Sequence, residues 1–224
     1  MEKFYTFAAI KKKDMKHRMY ILLVLMFGGT ALFAQKPATE AQIKLMNEKI
    51  VAASKSMQTL YCNFEQRKEM SALSETLISK GKMQYRNDKK LRWEYTSPDT
   101  YIFVLNNDKV SMQSGSQKSN LDKNSAKLFQ RIIKIMLDII SGDGLNDTKN
   151  FTAKYFYGRE LWIVELEPVQ KEMKKMFAKI IMTFNVNDYS ADKIEMQGKN
   201  SDKTIITLSN KKINGKIADS VFNL

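Results

Sequence analysis

Few side chains in this sequence could carry out acid–base, nucleophilic or metal chemistry. The 224 residues contain one histidine, His17, and one cysteine, Cys62. Ser-His-Asp and Cys-His catalysis require an imidazole base, and most zinc sites require His or several Cys. A single cysteine also excludes an internal disulfide. Because His17 lies in a segment that we expect to be removed, the working protein lacks the residues that these chemistries need.

The remaining candidates for chemistry are Cys62 and two carboxylates. Cys62 lies in an alternating apolar stretch, where a lone cysteine is more often a small buried hydrophobe than a reactive thiol. Glu65 and Glu94 would be the carboxylates of an envelope enzyme, but nothing in the sequence pairs them convincingly for acid–base catalysis. We interpret them as solvated charges on strand faces. We therefore predict a protein that is not an enzyme.

The first 34 residues are typical of a secretory signal peptide. A basic region from Lys11 to Arg18 precedes an apolar run from Tyr20 to Phe33, and the small residue Ala34 ends the segment. The run is shorter than the roughly 20 residues that a membrane-spanning helix requires, and an uncleaved anchor is the alternative. No cysteine that could carry a lipid follows Ala34. We expect a soluble periplasmic protein in which residues 35–224 form a single domain.

The charge of the chain bears on its possible partners. The formal net charge is +13, and lysines are spread along the sequence rather than clustered. This distribution predicts a solvated basic surface. Nucleic acid is not an expected partner of an exported protein, whereas an acidic protein or an anionic membrane surface is compatible with the charge.

The periodicity of apolar residues predicts the elements that must position these side chains. Helical spacing predicts a helix over residues 39–57, capped by Thr39. From Leu60 onward the period is two, and polar turns separate short strands, which predicts an antiparallel meander of about nine or ten strands. We place Phe222 on the last strand. A second, strongly apolar helix is predicted over residues 125–141.

A sheet of this size must curl, because neighbouring strands twist by roughly 20–25°. The helix over residues 125–141 is more apolar than one face of a surface helix requires, so it is either a deeply buried core helix or a lid. Methionines on the strands and on this helix favour a lid over an apolar cavity, because Met adapts to varied apolar shapes. An ordinary packed core remains the alternative.

Several motifs resemble those of a known family. Residues 64–66 resemble its F-x-Q motif, and residues 81–85 and 91–98 resemble the G-x-hydrophobic and L-R-W-x-Y-x-x-P strands of LolA, the periplasmic lipoprotein carrier. Residues 107–110 correspond to a turn of the family, and residues 217–222 are similar to its final strand. The resemblance covers essentially the whole chain after residue 34. It implies a mainly β (α+β) fold: an incomplete, strongly curved antiparallel β-barrel with an N-terminal helix and a helical lid over an apolar cavity.

The resemblance also implies a function. Members of the family carry the acyl chains of lipoproteins from an inner-membrane ABC-type releasing complex to an acceptor at the outer membrane. The family implies no metal, no cofactor and no covalent chemistry, and we expect a monomer with acylated lipoproteins as its cargo. The alternative is an envelope module of the same fold that senses lipids or binds a partner without shuttling cargo.

The site residues follow from the same resemblance. Leu91, Trp93 and Tyr95 match the family strand whose apolar residues line the cavity, and Met83 and Tyr85 lie on the neighbouring strand. We assign to the same cavity the apolar residues of the next strand and of the lid helix: Phe103, Leu105, Ile132, Met136 and Ile139.

One further pair of residues is assigned to control of the lid. The family usually has Arg-Pro or Lys-Pro in the turn before the L-R-W strand, and its arginine helps to hold the lid and control release. In this chain Asn87 and Asp88 occupy that place, and Arg86 is next to them. The resemblance therefore implies that Arg86 and Asn87 control the lid and the release of cargo.

Overall fold

The computed structural model describes residues 36–71, 75–107, 109–120, 145 and 147–224. These residues belong to one compact unit, Lys36–Leu224. The predicted signal peptide lies outside the described residues. So does the predicted lid helix over residues 125–141, with its three cavity residues Ile132, Met136 and Ile139.

Helix α1, Glu40–Ser56, begins where the sequence predicts it. Thr39 caps it in a capping box, because the Thr39 hydroxyl accepts a hydrogen bond from the Gln42 amide and the Gln42 side chain accepts one from the Thr39 amide. Met46 and Ile50 lie one turn apart and are fully buried. The helix therefore packs through one apolar face, as its helical spacing requires.

Eleven strands form one antiparallel sheet within the described residues. In chain order they are β1 Thr59–Glu69, β2 Thr76–Arg86, β3 Lys90–Ser97, β4 Tyr101–Asn106, β5 Lys109–Ser114, β6 Gln117–Asn120, β7 Phe151–Tyr157, β8 Leu161–Pro168, β9 Lys179–Asn185, β10 Ala191–Gln197 and β11 Lys203–Ile213. A short helix, α2 (Lys171–Met176), connects β8 to β9.

The strand order is β6-β5-β4-β3-β2-β1-β11-β10-β9-β8-β7. Two meanders therefore meet at the pair formed by β1 and β11, and the sheet is not closed because β6 and β7 do not pair. The result is the incomplete, curved antiparallel barrel that the resemblance implies.

One face of the sheet, here called the inner face, carries two apolar clusters. The helix region is α1 together with the inner face of β7–β10, and its fully buried members are Met46, Ile50, Val164, Leu166, Ile180, Met182 and Ile194. The aromatic region is the inner face of β1–β4 and β11, and its buried members include Leu60, Cys62, Phe64, Met83, Tyr85, Leu91, Trp93, Ile206 and Leu208. Met196 packs against both clusters.

The end of the chain differs from the sequence prediction. Phe222 does not lie on a strand but ends a 3₁₀ helix, Asp219–Phe222, and is almost completely buried. Strand β11 ends at Ile213, and Asn214 turns the chain with a φ of 59°. Because β1 already pairs with β2 and β11, a further strand has no free edge to join there. The last residues instead pack on the outer face. The predicted strand at residues 217–222 is therefore wrong, and a strand that the sequence did not predict, β6, brings the number of strands to eleven.

Candidate functional site

The inward side chains of the aromatic region form straight rows across the sheet. In one row Cys62 pairs with Met83, Met83 with Trp93, and Trp93 with Phe103. In the next row Tyr85 pairs with Leu91, and Leu91 with Leu105. Side chains that pair directly across strands lie close together on one face. The structure thus places in one patch the seven predicted cavity residues that it describes: Met83, Tyr85, Leu91, Trp93, Tyr95, Phe103 and Leu105.

Four aromatic rings form the centre of this patch. The rings of Phe64 and Trp93 stack with their centroids 4.2 Å apart and an angle of 28° between their planes. Tyr95 meets Phe64 edge to face at 5.2 Å and approaches Phe103 at 6.4 Å. Such offset and edge-to-face arrangements are the favoured geometries of aromatic pairs. The rings therefore form a continuous apolar surface from β1 to β4.

A glycine makes the ring stacking possible. Gly81 pairs with Phe64 across β1 and β2 and with Tyr95 across β2 and β3. A Cβ atom at Gly81 would collide with the Glu94 carbonyl oxygen and with the Phe64 ring. Phe64 therefore lies over a backbone that has no side chain, which is a close approach that only glycine permits. This packing gives a physical reason for the glycine in the motif at residues 81–85.

Polar atoms within the patch are few and uncharged. The Tyr95 hydroxyl donates a hydrogen bond to the Gln66 side-chain oxygen at 3.0 Å, which joins the F-x-Q and L-R-W-x-Y motifs. The Trp93 indole N–H is buried and donates no hydrogen bond to an acceptor in the described part of the chain. Burial raises the pKa of Tyr95. At neutral pH the patch therefore offers apolar contact and no charge.

Cys62 adds no reactivity to this patch. It is fully buried and not disulfide-bonded, and desolvation by burial raises its pKa to about 12. A thiol must lose its proton to act as a nucleophile or a metal ligand, so Cys62 is an apolar side chain at neutral pH. Its place beside Met83 agrees with the interpretation of a small buried hydrophobe.

The two carboxylates singled out for enzyme chemistry lie away from the patch. Glu94 accepts a hydrogen bond from Arg92 at 2.9 Å, and Glu65 lies 3.5 Å from the Lys80 ammonium. Both carboxylates alternate with inward residues and so project from the outer face. Within the described residues no group of three or more His, Cys, Asp or Glu side chains could hold a metal ion.

The two residues assigned to lid control have other partners among the described residues. Asn87 donates from its side chain to the Gln58 side-chain oxygen at 2.7 Å, which holds the connection between α1 and β1. Arg86 alternates with Tyr85 and therefore lies on the outer face. It forms ion pairs with Asp88 and Asp219, and its guanidinium lies 5.2 Å from the centre of the Phe222 ring. The role of Arg86 and Asn87 in release remains a prediction.

Arg86 is part of a cluster that fixes the last residues of the chain, here called the C-terminal clamp. Asp219 also accepts a hydrogen bond from Lys90 at 2.5 Å, and Arg92 donates to the Val221 carbonyl at 3.2 Å. Hydrogen bonds from Lys90 and Arg86 lower the pKa of Asp219, and those from Arg86 and Lys90 lower that of Asp88 to about 2. The clamp therefore holds Phe222 against the outer side of β2–β4.

Sequence reasoning missed several members of the patch. Phe64 and Cys62 on β1 and Ile206 and Leu208 on β11 belong to the same cluster but were not assigned to the cavity. The sequence shows the alternation of Leu60, Cys62 and Phe64, but it does not show that β11 pairs with the second edge of β1. The pairing of Phe64 with Leu208 joins residues from opposite ends of the domain.

An open antiparallel barrel whose inner face carries an uncharged aromatic patch is the architecture of a class of proteins that bind lipids or proteins. A family model described as "Outer membrane lipoprotein carrier protein LolA" matches residues 55–224. The chain belongs to this LolA family.

The chain is similar in structure to several solved proteins. MucB superposes with a TM-score of 0.51 at 9% identity, covering 84% of this chain and 64% of MucB. The Mycobacterium tuberculosis lipoprotein LppX is similar at a TM-score of 0.47 and 12% identity, covering 80% of this chain and 99% of LppX. A LolA superfamily protein from Nitrosomonas europaea has a TM-score of 0.42 at 10% identity, covering 81% of this chain and 97% of its own. The search of curated proteins found no match. Among the described helices, none combines the length and the apolar character needed to cross a membrane.

Proposed function

We propose that this protein is a periplasmic carrier that binds the acyl chains of lipoproteins on its aromatic region and moves them from the inner to the outer membrane. The observation that supports this proposal is the two-row apolar patch on the inner face, in a chain of the LolA family. The patch contains no charged side chain, and its reactive candidate, Cys62, is protonated at neutral pH. Non-covalent binding of an apolar group is the chemistry that remains.

The burial of the patch suits a cargo that must be released. Each methylene removed from water contributes about 0.8 kcal/mol, so tight burial of whole acyl chains would prevent transfer. Tyr95, Phe103 and Leu105 are only partly buried, whereas Met83 is fully buried. Partly buried residues offer contact area to an acyl chain. Transfer of cargo to an acceptor then requires that the acceptor favour the conformation of the carrier that has released the cargo.

The partners follow from the same proposal. The protein receives acylated lipoproteins from an inner-membrane ABC-type releasing complex and delivers them to an outer-membrane acceptor. It works as a soluble monomer after removal of its signal peptide, and it needs no cofactor and no metal. It is not an enzyme, and nucleic acid is not among its partners.

The test uses binding of a triacylated lipoprotein to the exported, processed protein. Native mass spectrometry should show a one-to-one complex that persists without detergent. Phe103→Ser should weaken the complex at least tenfold, because Phe103 lies at the partly buried edge of the patch. Phe156→Ser is the matched control, since Phe156 is a partly buried phenylalanine that alternates with inward-facing Tyr155 on β7. No complex with the unmodified protein, or equal weakening by both variants, would contradict the proposal.

The alternative function is an envelope module that senses lipids or binds a partner and does not shuttle cargo. The fold shared with MucB favours this alternative, because a solved structure shows MucB in complex with MucA. A transfer assay separates the two. A carrier loaded with fluorescent lipoprotein should deliver it to vesicles that contain outer-membrane acceptor, whereas a sensor should bind the lipid and retain it.

A further inference from the structure

The hairpin formed by β1 and β2 extends beyond its neighbour β3. Pairing of β2 with β3 begins at Lys80, whereas pairing of β2 with β1 continues to Thr76. Within the described residues, the segment Thr76–Ser79 therefore has a strand on one side only. A protruding edge of this kind is normally protected with charged side chains or proline, because an apolar edge invites contact with other molecules.

This protruding segment carries two exposed apolar side chains in succession. Leu77 is 47% exposed and Ile78 is 43% exposed. Because successive residues of a strand point to opposite faces, the segment presents an apolar group on each of its faces. Leu77 and Ile78 are two of the six large apolar residues that are exposed in the described part of the chain.

A cation stands directly across from each of these side chains. The register pairs Leu77 with Lys68 and Ile78 with Arg67, and paired residues share a face. Both cations are exposed, and no carboxylate of the described residues forms a salt bridge with either of them. Each face of the hairpin thus combines one exposed apolar side chain with one exposed positive charge that forms no salt bridge with a described residue.

A second group of the same character lies at the same end of the sheet. Val169, just after β8, is 45% exposed and precedes α2, whose Lys171, Lys174 and Lys175 are exposed. Met173 is buried and anchors this helix. Successive pairings connect this end of β8 to the protruding hairpin through one row: Leu77, Lys68, Thr204, Met196, Ile180 and Leu166. We call the two groups together the basic-apolar end.

We propose that the basic-apolar end docks on an anionic lipid bilayer. Apolar side chains that enter the interface and cations that meet the lipid phosphates are the two contributions that hold amphipathic surfaces on anionic membranes. Lys and Arg reach the headgroups while their stems remain among apolar groups. A strand from a partner protein would use the exposed edge of β2, but it would not need cations on both faces.

The hairpin is held in position before docking. The Asp202 carboxylate accepts hydrogen bonds from the Ser71 amide at 2.7 Å and from its hydroxyl at 3.0 Å. These bonds tie the end of β1 to the turn between β10 and β11. A surface that is already ordered loses less conformational freedom on binding. This inference does not depend on the proposed cargo, because docking involves the end of the sheet and not the aromatic region.

The test is flotation of the exported, processed protein with lipid vesicles. We expect it to float with vesicles of phosphatidylethanolamine and phosphatidylglycerol, not with pure phosphatidylcholine, and less as salt increases. The double variant Leu77→Ser/Ile78→Ser should reduce partitioning at least tenfold. Ile213→Ser is the control, since Ile213 is 37% exposed at the opposite end of β11. Equal flotation of the double variant and the unmodified protein would refute the proposal.

A second measurement locates the contact. An environment-sensitive dye on Ile78→Cys should shift to shorter emission wavelength with anionic vesicles, while the dye on Ile213→Cys should not. Cys62 does not interfere, because it is buried and protonated. A shift at position 213 alone, or at neither position, would contradict docking through the basic-apolar end. If the protein binds no vesicles but an envelope protein binds the exposed edge of β2, the partner is a protein and not a bilayer.

Discussion

The helix region and the aromatic region occupy the same face of one sheet but are built differently. In the helix region, Met46 and Ile50 of α1 lie on strand residues such as Val164 and Met182, and all four are fully buried. In the aromatic region the rings of Phe64, Trp93, Tyr95 and Phe103 meet one another, and two of them are only partly buried. One region is closed by its own helix, and the other retains partly exposed apolar surface.

Under the proposed function, this difference assigns stability to one half of the sheet and binding to the other. Close-packed aliphatic side chains lose stability whenever volume is removed. Partly exposed rings contribute less to folding but remain able to contact a guest. A substitution in the helix region should therefore lower stability and preserve binding, and a substitution at the edge of the aromatic region should do the reverse.

The largest expected effect comes from Gly81→Ala, because it would break the aromatic region from within. The new Cβ would collide with the Glu94 carbonyl oxygen and the Phe64 ring, so β2 and β3 could not pair as they do. We expect the free energy of unfolding to fall by about 5 kcal/mol or more, measured by denaturant titration, because the collision is with a backbone atom. Gly215→Ala is the control, since no atom lies within 4 Å of its added Cβ. Equal stabilities of the two variants would show that Gly81 is not under this constraint.

The comparison is sharpened by two aliphatic truncations, Ile50→Ala and Leu105→Ala. Ile50 is fully buried in the helix region, and its truncation should cost about 2–5 kcal/mol of unfolding free energy. Leu105 is partly buried, and its truncation should cost roughly 1 kcal/mol. Binding of a fluorescent fatty acid should weaken only in Leu105→Ala. If Ile50→Ala weakens binding more than Leu105→Ala does, the division between the two regions is wrong.

The smallest expected effect concerns the C-terminal clamp, which lies outside both regions. The carboxylate pKa values of Asp88 and Asp219 are lowered in the folded state, so their ion pairs stabilise the clamp above a pH of about 4. This stabilisation is lost as the pH falls towards about 2. Hydrogen exchange of residues 216–224, corrected for intrinsic rates, should therefore accelerate between pH 6 and pH 3.

Asp219→Asn should give the faster exchange already at pH 6, with little change in global stability, because the Asp219 side chain is 67% exposed to solvent in these pairs. Asp99→Asn serves as the control on another exposed carboxylate. If the unmodified protein and Asp219→Asn exchange alike at pH 6, the ion pairs do not hold the C-terminal segment.

Local features of the structure could be predicted from the sequence. The N-cap at Thr39 and the alternation of Leu91, Trp93 and Tyr95 place α1 and β3 almost to the residue. The family motifs then identify β2 and β3 as strands of the aromatic region, because short motifs with fixed spacing also indicate which residues pair.

Long-range features could not be predicted. Arg86 is 133 residues from Asp219, and Phe64 pairs with Leu208 across most of the domain. Phe222 followed a strand-like pattern, yet it packs on the outer face because the edges of β1 are already occupied. The spacing of apolar residues within one segment does not indicate which distant segment will pack against it.

The seam between β1 and β11 has a consequence for how the molecule is assembled. Strands β1–β6 can pair as soon as they are made, and β7–β11 form a second local meander, but the two join only when β11 reaches β1. Contacts between such distant segments form late and slowly. If the chain crosses a membrane with its N-terminus first, β1 emerges before β11. The edge of β1 that pairs with β11 then has no hydrogen-bonding partner. Until the last strand arrives, that edge is the place where a chaperone would protect the protein and where premature association would begin.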